Sequence, residues 1–249
     1  MSYPIFKNKH LEEAIIFPDH TGRDRKKFRN KIPKKCIITY QDEAFQHIIK
    51  KFRAQRLKVK SLWGCNSYYT KNFIVVQMKG VGSPHSTIML ENLIAIGIKE
   101  FINIGIAGGL KQLGIFLCSR AIRDEGTSQH YMPHSMYAYP DKRLTKRLRA
   151  SLNKLKVKFY EGTNWTIDAP YMETKAELKS FKKQGVLTVE MEASALFSVA
   201  KLRKVSIAAA FVTSDILGDE WKNLYMNKEA FILDGLRKLS NAAALCFKI

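Results

Sequence analysis

Paired cysteines, acidic side chains and long apolar runs are all scarce in this 249-residue chain. Its four cysteines, Cys36, Cys65, Cys118 and Cys246, are not close neighbours, and no C-x-x-C or mixed Cys/His cluster occurs. That argues against a disulfide framework and a structural zinc, and it fits a reducing compartment. No stretch approaches the roughly 20 apolar residues that a membrane-spanning helix needs, so no membrane association is expected. The N-terminus, MSYPIFKNKH, has no apolar signal core, and a cytoplasmic location is expected. Internal repeats, low-complexity tracts and linkers are also missing. The expectation is one domain over residues 1–249, with an irregular segment 1–35 broken by Pro18, Gly22 and Pro33.

Acids number 22 against 42 lysines and arginines, a net charge of +20. Such a surplus raises the question of nucleic acid. The densest run is RDRKKFRNKIPKK, residues 23 to 35, and the basic residues between 142 and 149 have the spacing of a solvated helix face. No nucleic-acid-binding motif accompanies them. A lysine-rich surface is therefore expected rather than a nucleic-acid partner, with attraction of anionic substrates as a lesser use of the charge.

What the chain does have is alternation of apolar runs with helical periodicity. Strands are expected at Cys36–Tyr40, Phe73–Met78, Phe101–Ile106, Phe116–Ile122, Val157–Tyr160, Val186–Val189 and Ser206–Thr213. Helices are expected at about 43–52, after Pro84 to about Ile98, from about Leu144, at 174–183, after Met191 and at about 228–244. This order implies an α/β fold with a mostly parallel sheet covered on both faces. The stretch from Gly185 to Asp215 organises the rest. It reads strand, helix, strand, and its strands end in Glu190-Met191-Glu192 and in Ser214-Asp215. Ligands of open α/β sheets sit at such carboxyl ends. On spacing alone two readings stay open. Glu190 and Glu192 suit a helix's first turn through its dipole, and Asp215 suits the start of a loop; equally, the four polar residues suit a pocket.

The spelling V-E-M-E-A-S-A, followed by S-D after the next strand, resembles the nucleoside phosphorylase family, which includes uridine phosphorylases, hexameric purine nucleoside phosphorylases and methylthioadenosine nucleosidases. The resemblance covers most of the chain and implies that family's single-domain α/β fold, with a partly barrel-like sheet flanked by helices. It implies that Met191 and Glu192, with Glu190 beside them, bind ribose; a carboxylate offers acceptors for two hydroxyls. It implies that Asp215 protonates the leaving base, with Ser214 at its side. Gly162 to Asp168, GTNWTID, is similar to the family segment that meets the base, which assigns Trp165 as a stacking surface with Thr166 next to it. Gly80-Val81-Gly82-Ser83-Pro84 matches the family's glycine-rich turn and makes Gly82 a phosphate contact. Ile104 to Leu110 is similar to its second glycine-rich segment. Arg123 to Tyr131 is similar to the R-x-x-G-A-S-x-H-F of uridine phosphorylases. The implied reaction is phosphorolysis of a nucleoside by a homo-oligomer, a dimer or hexamer with sites near subunit interfaces. Inorganic phosphate is the co-substrate, and no metal or organic cofactor is implied.

The phosphate site departs from that pattern. Against the family's G-D-P-x-R, Gln41 replaces the glycine and Phe45 the arginine. Against its R-x-G-[ST], Asn103 replaces the arginine and Ile106 the hydroxyl residue. Loss of guanidinium forks from an anion site is not a mild change. Lys60, reaching across a subunit interface, and Arg123 are the remaining candidate cations. Two alternatives follow: a nucleosidase whose water is activated by Asp42 or Glu43, and a nucleoside-binding protein that has lost catalysis. Ser214-Asp215 favours a purine, and the Arg123–Tyr131 motif favours uridine.

Overall fold

The computed structural model describes residues 4–6, 8–18, 22–28, 30–62, 64–218 and 220–248. Among these, eleven strands form one sheet, with eight α-helices around it. The chain runs α1 (Arg23–Phe28), β1 (Lys35–Thr39), α2 (Asp42–Lys51), β2 (Gln55–Arg56), β3 (Asn66–Tyr69), β4 (Ile74–Gln77), α3 (Ser83–Ala95), β5 (Glu100–Gly109) and β6 (Ile115–Asp124). It continues through α4 (Ser128–Tyr131), β7 (Tyr137–Ala138), α5 (Lys142–Lys154), β8 (Tyr160–Ile167), α6 (Lys175–Lys183), β9 (Val186–Glu190), α7 (Ala193–Leu202), β10 (Ser206–Leu217), β11 (Trp221–Asn223) and α8 (Tyr225–Lys248).

Five strands close into a ring. β5 pairs in parallel with β10, β10 antiparallel with β6, β6 in parallel with β8, β8 in parallel with β9, and β9 antiparallel with β5. β5 is long enough to serve two partners on one edge. Glu100–Ile104 pair with β1, and Gly108 and Gly109 pair with Val189 and Thr188 of β9. Beyond β1 the sheet continues through β4, β3 and β2. The expected parallel sheet is thus correct at its centre and gains antiparallel pairings at the ring closure and the edges. One irregularity matters for the site. The β10–β5 register shifts between Thr213 and Asp215, so Ser214 is an extra residue, a β-bulge.

Helices cover both sides of the sheet. Met89 and Leu93 of α3 and Leu196 and Phe197 of α7 fill one apolar layer. Ile48, Leu148, Leu236 and Leu239, from α2, α5 and α8, fill the other. Each such side chain contributes about 1.5–3 kcal/mol when removed from water. The expected strand at 157–160 lies further on, at Tyr160–Ile167, and β3 occupies a stretch read only as polar. The irregular N-terminal segment contains α1, whose Asp24 at the first turn and basic last turn suit the helix dipole and whose Phe28 is buried; residues 1–3, 7, 19–21 and 29 of that segment lie outside the described residues. The basic face of α5 is not wholly solvated. Arg147 bonds Glu100 and Arg149 bonds Glu161, tying the helix to β5 and β8. No helix among the described residues is long and apolar enough to cross a membrane.

Candidate active site

The carboxyl ends of β1, β4, β5, β9 and β10 converge with the amino-terminal ends of α3 and α7. Glu192 lies at this meeting point, 7% exposed, as the residue capping α7. The Gly82 N–H donates to its Oε1 at 2.5 Å. Gly82 has φ of +97°, a conformation that side chains rarely adopt, and this turns its amide toward the carboxylate. Next to it, Ser83 Oγ donates to the Met191 carbonyl at 2.7 Å. An Arg203–Glu91 ion pair at 2.9 Å clamps α7 to α3 behind these contacts. The Met191 side chain is half-buried beside Glu192.

Glu190 has a different role. Its Oε1 accepts from Asn164 Nδ2 at 2.6 Å and Thr166 Oγ1 at 2.7 Å, and its Oε2 accepts the N–H groups of Glu192 and Ala193. Both oxygens are engaged by protein donors, so the expected ribose contact at Glu190 is corrected to an anchor for the start of α7. Thr166 is corrected with it: it is fully buried, bonds Glu190 and accepts from the Ser194 N–H. Burial raises the pKa of both carboxyls. For Glu192 it combines with the nearby Glu190 charge to push the group up to about 8, against the opposing pull of the Gly82 N–H.

That shift has a measurable sign. A carboxyl whose folded pKa exceeds its unfolded value near 4.5 binds more protons when folded. Its contribution to stability is complete below about pH 4.5 and is lost as pH rises to about 8. Subtracting the Tm-against-pH curve of Glu192→Gln from that of the unmodified protein is expected to leave a decline across this window, flat above it. A flat difference throughout would contradict the shift.

Asp215 sits just past the bulge, paired with Gly108, whose other neighbour is Val189 at the end of β9. It thus lies beside the strand that delivers Glu190 and Glu192. Ser214 Oγ donates to its Oδ1 at 2.7 Å and Trp221 Nε1 to its Oδ2 at 2.9 Å. Ser214 therefore orients Asp215; its own hydroxyl is buried. Glu173, which the sequence motifs did not single out, lies near Asp215. Burial first, then the charges of Asp215 and Glu177, push its carboxyl up to about 7. Its signal in the sequence is its place just before the Thr174–Glu177 capping box, at the start of α6.

Trp165 is fully buried. Its ring packs on Phe181 with centroids 4.8 Å apart, and its Nε1 donates to Asp124 at 2.9 Å. The expected stacking surface is corrected to a core residue packed against α6, because the indole is fully buried. Exposed apolar surface lies instead on the short turn Pro170–Met172, where Tyr171 and Met172 face solvent. An open groove of about 770 Å³ runs beside this turn, lined among others by Glu125, Gly126, Asp168, Met172 and Glu177.

Two of the expected phosphate contacts, Arg123 and Gly82, are engaged by protein groups. The Arg123 guanidinium uses all five donors within the protein. Nε bonds Ser128 Oγ, Nη1 bonds the Pro133 carbonyl and Ser135 Oγ, and Nη2 bonds the Ser128 carbonyl and Gln129 Oε1. Arg123 is corrected to the peg that folds residues 128–135 over β6. The Gly82 amide is committed to Glu192, which corrects its expected role as well. Lys60 is exposed on the turn Lys60–Leu62. Arg123→Lys keeps the charge but loses the planar fan of donors. It is expected to cost about 2–4 kcal/mol through buried acceptors left unpaired, read as a lower denaturant midpoint. Among the described residues, no group of three or more His, Cys, Asp or Glu is placed to hold a metal ion.

A ring of five strands with a buried carboxylate pair at the carboxyl end of β9 defines a class of α/β protein whose site lies where strand ends meet helix starts. The chain belongs to the Phosphorylase superfamily, which it matches over residues 36–247. It is 30% identical over 154 residues to the uridine phosphorylase of Treponema pallidum, covering 56% of this chain and 60% of that one. It is likewise 30% identical over 154 residues to the purine nucleoside phosphorylase of Plasmodium vivax, covering 59% and 62%. The chain thus spans about 60% of the length of these curated relatives. The crystal structure of uridine phosphorylase from Vibrio fischeri superimposes with a TM-score of 0.78 at 23% identity, covering 95% of this chain and 99% of that one, which establishes the same fold.

Proposed function

We propose that the protein cleaves the N-glycosidic bond of a nucleoside and transfers the pentosyl group to a small nucleophile. The observation that carries this reading is Glu192: a buried carboxylate fixed by the Gly82 amide, with acceptor capacity left for a sugar diol and the half-buried Met191 beside it. Asp215, oriented by Ser214 and Trp221, supplies the proton that lets the base depart. The names of the relatives support a nucleoside as substrate and suggest inorganic phosphate as the nucleophile; the proposed reaction uses no metal. A second reading, hydrolysis, is favoured by the engagement of Arg123 and Gly82 elsewhere. Assembly into a homo-oligomer and residence in the cytoplasm complete the proposal. Chromatography of free base released from a panel of purine and pyrimidine nucleosides tests it. Release from at least one is expected, and no release from any would overturn the reading.

A further inference from the structure

The basic surplus is concentrated on one face of α6. This helix, KAELKSFKK, carries four lysines. At about 100° per residue, Lys182, Lys175, Lys179 and Lys183 fall within one sector about 100° wide. Leu178 and Phe181 occupy the sector that packs inward, toward Trp165. Glu177, the only acid of α6, lies on the opposite side of the helix from the lysines, where it closes the capping box with Thr174. Lys111, in the turn between β5 and β6, joins the four in lining an open groove of about 690 Å³, completed by Leu178 and Gly218.

Like charges three and four residues apart on a helix repel one another. Lys175 and Lys179, Lys179 and Lys183, and Lys179 and Lys182 all stand in that relation. Elsewhere such charges are paired: Arg147 with Glu100, Arg149 with Glu161, Lys238 with Asp234. None of the five groove lysines has an acidic partner, and none of the described residues lining the groove is an acid. Lys182 Nζ donates to the Leu217 carbonyl at 2.8 Å, which holds it at the groove wall and leaves two of its three protons for a ligand. An anion that reaches several of these ammonium groups at once relieves the repulsion.

The lining sets the chemistry of that anion. Lysine ammonium groups are point charges that meet phosphate oxygens from any direction, without the planar fork that matches a carboxylate. The described lining has no aromatic face on which a base could stack and, Leu178 apart, no large apolar side chain. From Lys175 to Lys183 the stripe runs about 12 Å along the helix axis, at about 1.5 Å per residue, which suits a chain of phosphates better than a single ion. The volume is that of a small-ligand site, about 300–1,000 Å³.

We infer that the groove between α6 and the β5–β6 turn is a binding site for a short linear oligophosphate, free or as the tail of a nucleoside polyphosphate, held by Lys111, Lys175, Lys179, Lys182 and Lys183. It uses none of the residues assigned to nucleoside cleavage and does not depend on that reading.

Isothermal titration calorimetry of the full chain with inorganic tripolyphosphate at low salt tests the site. Saturable binding of one tripolyphosphate per chain is expected, weakened about tenfold or more when salt is raised fourfold from about 50 mM. Adenosine triphosphate is expected to bind within about threefold of tripolyphosphate, because only its tail is held. Lys179 and Lys183 are exposed, and alanine keeps the helix. The double variant Lys179→Ala with Lys183→Ala is expected to weaken both ligands by about tenfold or more. Removing the same charge from the exposed face of α5, in Lys142→Ala with Lys146→Ala, is expected to change either affinity by less than about twofold. No saturable binding of tripolyphosphate, or equal weakening in the α5 and α6 variants, would overturn the site. Adenosine triphosphate bound about tenfold or more tightly than tripolyphosphate, and lost in the α6 variant, would overturn the phosphate chain as the part recognised. A DNA duplex bound more tightly than tripolyphosphate, and likewise lost in the α6 variant, would replace the oligophosphate with a nucleic acid.

Discussion

Glu192→Ala is expected to lower kcat/KM for base release by about 10²–10⁴-fold. The estimate applies above about pH 8, where Glu192 is ionised, and follows from two hydrogen bonds between a charged acceptor and sugar hydroxyls, each worth about 1.5–3 kcal/mol, at roughly 1.4 kcal/mol per tenfold. The geometry leaves little room for rescue. Glu190, the nearest carboxylate, accepts four protein hydrogen bonds and cannot turn to the substrate without releasing the start of α7. The same substitution strips the buried Gly82 amide of its acceptor, at about 1–3 kcal/mol of stability. Glu192→Gln keeps an acceptor for Gly82 and separates the two effects. Below about pH 4.5, where the carboxyl is protonated in the folded and unfolded chain alike, its stability should stay near that of the unmodified chain, while its activity at the assay pH falls. Steady-state kinetics on both variants, with circular dichroism to confirm folding, check this; full turnover in Glu192→Ala would remove the residue from the site.

Trp165→Ala is expected to reduce stability by about 3–5 kcal/mol, the usual cost of a cavity the size of a buried aromatic side chain. At about 2–4 °C per kcal/mol for a chain of this length, Tm should drop by about 6–20 °C. The ring is fully buried against Phe181, and its Nε1 is the partner of Asp124, which loses that donor in the variant. Had Trp165 been a stacking surface, the loss would appear in KM with Tm almost unchanged. Calorimetry and KM measured side by side separate the two roles, and a small Tm change with a large KM change would return the indole to the binding site.

The order of strands and helices was legible because the apolar runs of β1, β4, β5 and β10 are uninterrupted and the helices between them keep their period. Two strands were harder to see. β8 is spelled YEGTNWTI, and its Asn164 and Thr166 are polar yet buried, because their hydrogen bonds go to Glu190 and Thr188 of β9. Hydropathy does not register a polar residue whose partner lies more than twenty positions away. β3, NSYY, pairs antiparallel with β4, and that pairing is not visible in its composition. At the proposed site, the spelling V-E-M-E does not by itself divide the labour between its two glutamates. The division depends on which carboxylate meets the α7 amides. Arg123 belongs to a motif that resembles a ligand site, yet the acceptors that consume it come from the loop that follows, which only the folded backbone brings back. Gln41 and Asn103 stood out as departures from a phosphate site, and the pairing of β1 with β5 sets them near one another around Gly105.

The extra residue at Ser214 makes β10 a strand of two phases. In an unbroken strand Thr213 and Asp215 would face the same side. Here Thr213 pairs with Ala107 and Asp215 with the very next residue, Gly108, so they face opposite sides. Thr213 is buried against the Gly114 backbone, and Asp215 is turned toward Trp221. A misfolded form that ironed out the kink by sliding the end of β10 one residue along β5 would keep every strand and nearly all of the apolar contact. It would also rotate the Asp215 carboxyl to the wrong side of the ring. Such a form would be compact and spectroscopically ordinary by its backbone, yet would lack the Asp215 carboxyl at the proposed site.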